Sequence, residues 1–159
     1  MIKEELIQLL KDYKQNKAKL NIKLKELKSA RQRLKYCDEL ETSLTPGYGV
    51  NQDIHSKNQI SDKILNKVEE NDTKKLEIQQ EIEKLEEVVR QLRDKVETVE
   101  DRLEGLKYKE REILTAYYVE GRTAEDIGNK LYFQLFNQTR SDRHIQRIIE
   151  KATNKMLNL

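Results

Sequence analysis

From Ile78 onward the apolar residues Ile78, Ile82, Leu85, Val89, Leu92, Val96, Val99, Leu103 and Leu106 follow one another in alternating steps of four and three. That spacing keeps a single stripe on one side of a helix, and the stripe demands a facing partner, because a lone helix of this kind is marginal in water. Upstream, Ile60, Ile64 and Val68 continue the row, while Asn71 and Lys75 interrupt it at two successive positions. There the seam is expected to be weakest. A helix from about Asn58 to Leu106 would reach roughly 70 Å at 1.5 Å per residue, far beyond the width of a compact small domain.

A second stripe precedes it. Between Ile2 and about Leu40, Leu6, Tyr13, Leu20, Leu27 and Leu34 recur every seven residues, with Leu9, Leu10, Leu24, Ala30 and Cys37 forming an imperfect second row broken at Asn16, Lys17 and Lys23. Residues 1–42 hold 11 Lys/Arg against 7 Asp/Glu, or +4, whereas residues 43–106 hold 10 against 15, or −5. Opposite charges on flanking positions favour pairing of the two helices by a few tenths of a kcal/mol per exposed pair. An antiparallel helical hairpin over 1–106 is therefore expected as the basic unit. The uninterrupted row Ile78, Ile82, Leu85, Val89, Leu92, Val96, Val99 and Leu103 is in addition the candidate contact for a homodimer or higher homo-oligomer.

The segment joining the helices, Glu41 to Lys57, collects Pro46, Gly47 and Gly49 among Thr, Ser, Asn and Asp, and has the apolar period of neither neighbour. It reads as a connection. Tyr48, Val50 and Ile54 are expected to cap the end of the helical pair, and His55 has no second ligand at metal-binding spacing. The single cysteine, Cys37, excludes an internal disulfide and is expected to pack as a small apolar side chain. With no signal-peptide pattern at the start and no apolar run near 18 residues, the expectation is a cytoplasmic protein of a bacterial host cell, without a membrane partner.

The last third departs from this pattern, with 10 Lys/Arg against 7 Asp/Glu over residues 107–159. Glu110 to Val119 gives one helix, Gly121 breaks it, and Thr123-Ala-Glu-Asp126 opens the next with capping-box spacing. After a longer connection, Ser141-Asp142-Arg143-His144 starts a helix whose apolar positions are Ile145, Ile148, Ile149, Ala152 and Met156. Arg143, His144, Arg147 and Lys151 occupy its polar side, with Arg140 just before it. That is how a recognition helix meets DNA. Ile113, Leu114, Tyr117, Ile127, Leu131, Ile145, Ile148 and Ala152 are the expected core of this second domain, 107–159.

Arg111-Glu-Ile-Leu114, Tyr117-Tyr-Val-Glu-Gly121, Thr123-Ala-Glu-Asp-Ile127 and Ile145-Gln-Arg-Ile148 through Lys151-Ala152 resemble bacterial sigma factor region 4. By layout, the whole chain is similar to the small phage transcriptional activators of the RinA/ArpU type, which control late or packaging genes. The resemblance implies that Asp142, Arg143 and Arg147 face the major groove, while Arg122, Thr123 and Arg140 hold phosphates. It also implies double-stranded DNA and bacterial RNA polymerase as partners. Arg suits base reading, since its fork bonds both O6 and N7 of guanine, whereas Asp accepts from a cytosine amino group.

One stretch departs from the pattern: nine residues, Tyr132 to Arg140, stand where a helix-turn-helix has a short turn, and Tyr132-Phe-Gln-Leu-Phe136 carries both Phe residues of the chain. Either it extends the preceding helix and buries its rings in the core, which is the expectation, or it is a surface for another protein. Residues 1–106 contain only Tyr13, Tyr36 and Tyr48 as aromatics, so a promoter-melting domain that stacks unpaired bases is not expected. No catalytic triad, HExxH, phosphate-binding glycine loop or clustered metal ligands occur in the sequence, so neither enzyme activity nor a cofactor is expected. The chain thus reads as all-α and as a phage or prophage DNA-binding transcriptional regulator, an activator acting through polymerase. Alternatives are a small terminase subunit recognising a packaging site, and a coiled-coil protein adaptor.

Overall fold

The computed structural model describes residues 2–44 and 57–159, with side chains for 2–40 and 66–159. The fold is all-α, with no strand among the described residues. Helix α1 runs Lys3–Leu44 and α2 runs Lys57–Glu104. Both therefore extend into the turn-rich segment expected between Glu41 and Lys57. Tyr48, Val50, Ile54 and His55 lie outside the described residues.

Contacts divide the chain into two compact units, one of residues Met1–Leu20 with Gln91–Leu159, the other of Asn21–Arg90. The first unit joins the expected 107–159 segment to one end of each long helix. The reason is visible in the core of the first unit: Leu6 and Leu10 of α1 and Val99, Leu103 and Leu106 belong to the same buried cluster as Ile113, Leu114, Ile127, Ile145, Ile149, Ala152 and Met156. A three-helix set of about fifty residues exposes much of its surface, and here the ends of the two long helices complete its core.

In the second unit α1 and α2 run antiparallel, since Arg31 pairs with Glu86, Arg33 with Glu81 and Asp38 with Lys75, at 2.7, 2.8 and 2.8 Å. Leu27, Ala30 and Cys37 of α1 and Ile82, Leu85 and Val89 of α2 are its buried apolar side chains. The two polar interruptions of the stripe have specific roles. Asn71 is buried and donates from Nδ2 to the Cys37 carbonyl at 3.1 Å, and Lys75 reaches the edge to pair with Asp38. A buried Asn that needs one particular acceptor favours one register over its neighbours.

Of the eight residues expected at a seam between chains, Ile82, Leu85, Val89, Val96, Val99 and Leu103 are buried within the single chain, and Ile78 and Leu92 are half-buried. Most of the stripe is thus covered by neighbours in the same chain.

Candidate nucleic-acid interface

Helix α3, Tyr108–Leu114, passes into a π-helical turn at Thr115–Val119. The wider turn ends where the Glu120 N–H donates to the Thr115 carbonyl, and Gly121 then takes φ +71°, a left-handed value that a side chain disfavours. Thr123 caps the next helix, its hydroxyl accepting from the Asp126 N–H at 3.2 Å. The reciprocal half of the expected capping box gives way to another pair. The Asp126 carboxylate bonds Lys130 at 2.6 Å, which holds its pKa below the ordinary value.

That helix is continuous through α4 (Ala124–Asp126), a second π turn (Ile127–Leu131) and α5 (Tyr132–Phe136). The aromatic insert therefore extends the helix, as expected, and ends it at Asn137, whose φ of +53° is a left-handed cap. Its rings are unequally placed. Tyr132 is buried and Phe136 packs against the core, but Phe133 is 52% exposed, a correction to the expectation that both Phe rings are core. Tyr132 and Phe136, four residues apart, sit one above the other on the core side, whereas Phe133 is turned about 100° from Tyr132 and stands half in solvent.

Around Tyr132 the side chains interlock. Lys109 donates from Nζ to the Tyr132 hydroxyl and lies 4.5 Å from the ring centroid, and the Arg140 guanidinium lies 5.8 Å from it. Burial pushes the Tyr132 hydroxyl up, but hydrogen bonds from Lys109 and Arg140 outweigh it and leave the pKa below the usual tyrosine value. The ring of His144 meets Tyr132 edge-on at 6.5 Å. The turn before α6 is thereby tied to the helix before it.

Helix α6, Asp142–Leu157, begins at Ser141, whose hydroxyl accepts from the His144 N–H at 3.4 Å. Asp142 sits in the first turn, its carboxylate accepting the Arg143 N–H at 2.6 Å, which suits the positive end of the helix. Ile145, Ile149, Ala152 and Met156 are buried and Ile148 is half-buried, so Arg143, His144, Arg147 and Lys151 are left in solvent. Arg143, Arg147 and Lys151 stand one helical turn apart in a single row. Among the described residues none of the three has an ion-pair partner within 4.0 Å, and Arg147 does not pair with Glu150.

The other expected contacts are placed differently. Arg122 pairs with Glu120 at 2.8 Å, Arg140 bonds the Gln138 side chain at 2.8 Å, and the Thr123 hydroxyl is occupied as a cap. Each remains partly or fully exposed. A groove of about 520 Å³ opens beside Arg122, walled by Tyr117, Tyr118, Gly121, Thr123 and Ala124, and also by Lys11 of α1 and Gln146 of α6. Neither Lys11 nor Gln146 stands out in the sequence. Gln146 lies on the exposed side of α6, flanking the row of Arg143, Arg147 and Lys151, whereas Lys11 is one lysine among many on α1.

Compared with known proteins, the chain matches no family model, no curated protein and no solved structure. Among the described residues no three His, Cys, Asp or Glu side chains form a metal-binding group, and no helix is long and apolar enough to cross a membrane. The candidate site is thus a surface of charged and polar side chains around α6.

Proposed function

We propose that this chain binds duplex DNA through α6 and regulates transcription. One observation carries the reading: a capped amphipathic helix buries one face in the core and presents Arg143, Arg147 and Lys151 outward in a row with no internal ion pairs among the described residues. Cations with no intramolecular partner keep their full capacity for phosphates and base edges. The preceding helix, Ala124 to Phe136, and the turn fixed at Tyr132 give α6 a rigid support. The residues that resemble sigma factor region 4 favour a phage or prophage regulator that touches RNA polymerase.

Replacing Arg143 or Arg147 with Ala should cost roughly 1 to 3 kcal/mol on a duplex selected by the full-length protein and relax preference at one or two base pairs. Titration of both variants on selected and scrambled duplexes checks this. If both bind the two duplexes as the wild type does, α6 is not a recognition helix and a protein adaptor becomes the better reading. Stoichiometry on DNA separates the remaining alternative: a dimer fits the regulator, a ring of many subunits a terminase.

A further inference from the structure

The groove beside Arg122 brings together groups from three elements far apart in sequence. Lys11 comes from α1, Arg122 and the tyrosine pair Tyr117 and Tyr118 from the region of α3 and its π turn, and Gln146 from α6. The tyrosine rings meet edge to face at 5.0 Å and pack against the core, so this wall is firm. Lys11 is exposed and has no ion-pair partner among the described residues, although it sits one residue after Leu10, which is wholly buried. The docking of α1 that buries Leu6 and Leu10 therefore also fixes where the Lys11 stem begins.

Charge selects the ligand. Two cations line the groove, and the pairing of Glu120 with Arg122 offsets only one of them. The phenols and the Gln146 amide add donors of the kind that bind phosphate oxygens. Gln146 also belongs to the exposed face of α6, next in sequence to Arg147 and one turn from Arg143. A strand lying in the groove would therefore run directly beside the bases those arginines reach.

We infer that this groove takes the phosphodiester backbone of one DNA strand, with Lys11 supplying a phosphate contact from α1, so that the N-terminal helix is part of the DNA-binding surface. The inference rests on the reading of α6 as a recognition helix and extends the interface to a segment more than a hundred residues away in sequence.

The test is a salt titration of the full-length protein on selected and scrambled duplexes, comparing wild type with Lys11→Ala, Lys11→Glu, Arg143→Ala and the control Lys19→Ala, an exposed lysine of α1 outside the groove. Loss of one phosphate contact should lower the slope of log K against log salt by about 0.9, which is roughly an eight-fold loss of affinity at 0.1 M salt. Lys11→Ala should lose that much on both duplexes, Lys11→Glu more, and Lys19→Ala nothing, with thermal midpoints unchanged. If Arg143→Ala weakens binding while both Lys11 variants match the wild type, the groove is no DNA contact although the α6 reading survives. If the Lys11 variants bind DNA normally but fail to support transcription with purified polymerase, the groove holds an acidic protein segment and the inference is overturned. If Arg143→Ala and both Lys11 variants all bind as the wild type does, the inference and the reading beneath it fall together.

Discussion

The Arg140 N–H donates to the Gly128 carbonyl at 3.0 Å, and a side chain on Gly128 would collide with the Arg140 carbonyl. This close approach brings the turn before α6 onto the preceding helix. Gly128 is buried, and the opposing atom belongs to the backbone, which cannot swing aside as the end of a long side chain can.

Gly128→Ala should therefore destabilise the first unit. Overpacking costs about 1 to 3 kcal/mol, and the lower chain entropy of Ala in a helix returns about 0.5 to 1 kcal/mol. A lower urea midpoint is expected, together with weaker DNA binding as the turn before α6 is pushed outward. A variant as stable as wild type would show that the turn yields freely.

Leu6 and Leu10 are wholly buried in the cluster that supports α6. Truncating either to Ala should cost on the order of 2 to 5 kcal/mol, as for other buried leucines. A fragment of residues 107–159 lacks both, and lacks Val99, Leu103 and Leu106 as well. It should melt without a cooperative transition. A sharp transition of the fragment near that of the full chain would show that the α1 segment is dispensable to this core.

The end of α1 is also tied down by charge, through Tyr13, Lys17 and Glu100. The Tyr13 hydroxyl donates to Glu100 at 2.6 Å, and Lys17 reaches both Glu100, at 2.7 Å, and Tyr13, at 2.9 Å. The bond from Lys17, and then that from Tyr13, hold the Glu100 carboxyl below its ordinary 4.5. A group whose pKa falls on folding stabilises the fold above its ordinary value and stops doing so as pH drops through the folded one. Lys17 is held above its ordinary 10.5, chiefly by Glu100, and Tyr13 is raised above 10.0 by burial first and Glu100 second. Their contributions are complete below those values and fade as pH rises through the raised ones. Side-chain exposures of 53% for Lys17 and 40% for Glu100 limit the pair to about 0 to 1 kcal/mol. Glu100→Gln should thus flatten the loss of stability below about pH 4.5, and Lys17→Met the lysine's share of the loss above about pH 10.5, relative to wild type. Identical stability profiles for variants and wild type would remove the triad from the account.

What the sequence made legible was local. Gly121, the Thr123 and Ser141 caps and the buried row Ile145, Ile149, Ala152 and Met156 follow from spacing and capping chemistry, and each lies where it was expected. Leu6 and Leu10 also had the spacing of buried residues, but periodicity does not identify a partner a hundred positions away. That the start of α1 shares a core with the last third was hidden for that reason. Asn71 and Lys75 looked like weaknesses in the seam because a stripe counts only apolar side chains, whereas the Cys37 carbonyl and Asp38 are acceptors that become visible once α1 lies alongside. The same limit concealed Lys11, whose neighbours in the groove come from other elements.

The two phenylalanines of the insert give the last expectation. Phe136 packs against the buried cluster and lies 4.9 Å from the Tyr132 ring, so Phe136→Ala should lower the melting temperature at a cost approaching the roughly 3 to 5 kcal/mol of a core phenylalanine. Phe133 is 52% exposed, and its truncation should change stability by no more than about 0.5 kcal/mol. With about half of its surface in solvent, Phe133 contributes little to the fold, so a loss of function at unchanged stability in Phe133→Ala points to a partner. In the regulator reading that partner is polymerase, and Phe133→Ala should keep wild-type affinity for the selected duplex while activating transcription less in a purified system. A variant that activates as well as wild type would leave the ring with no partner role, and one that melts several degrees lower would place it in the core after all.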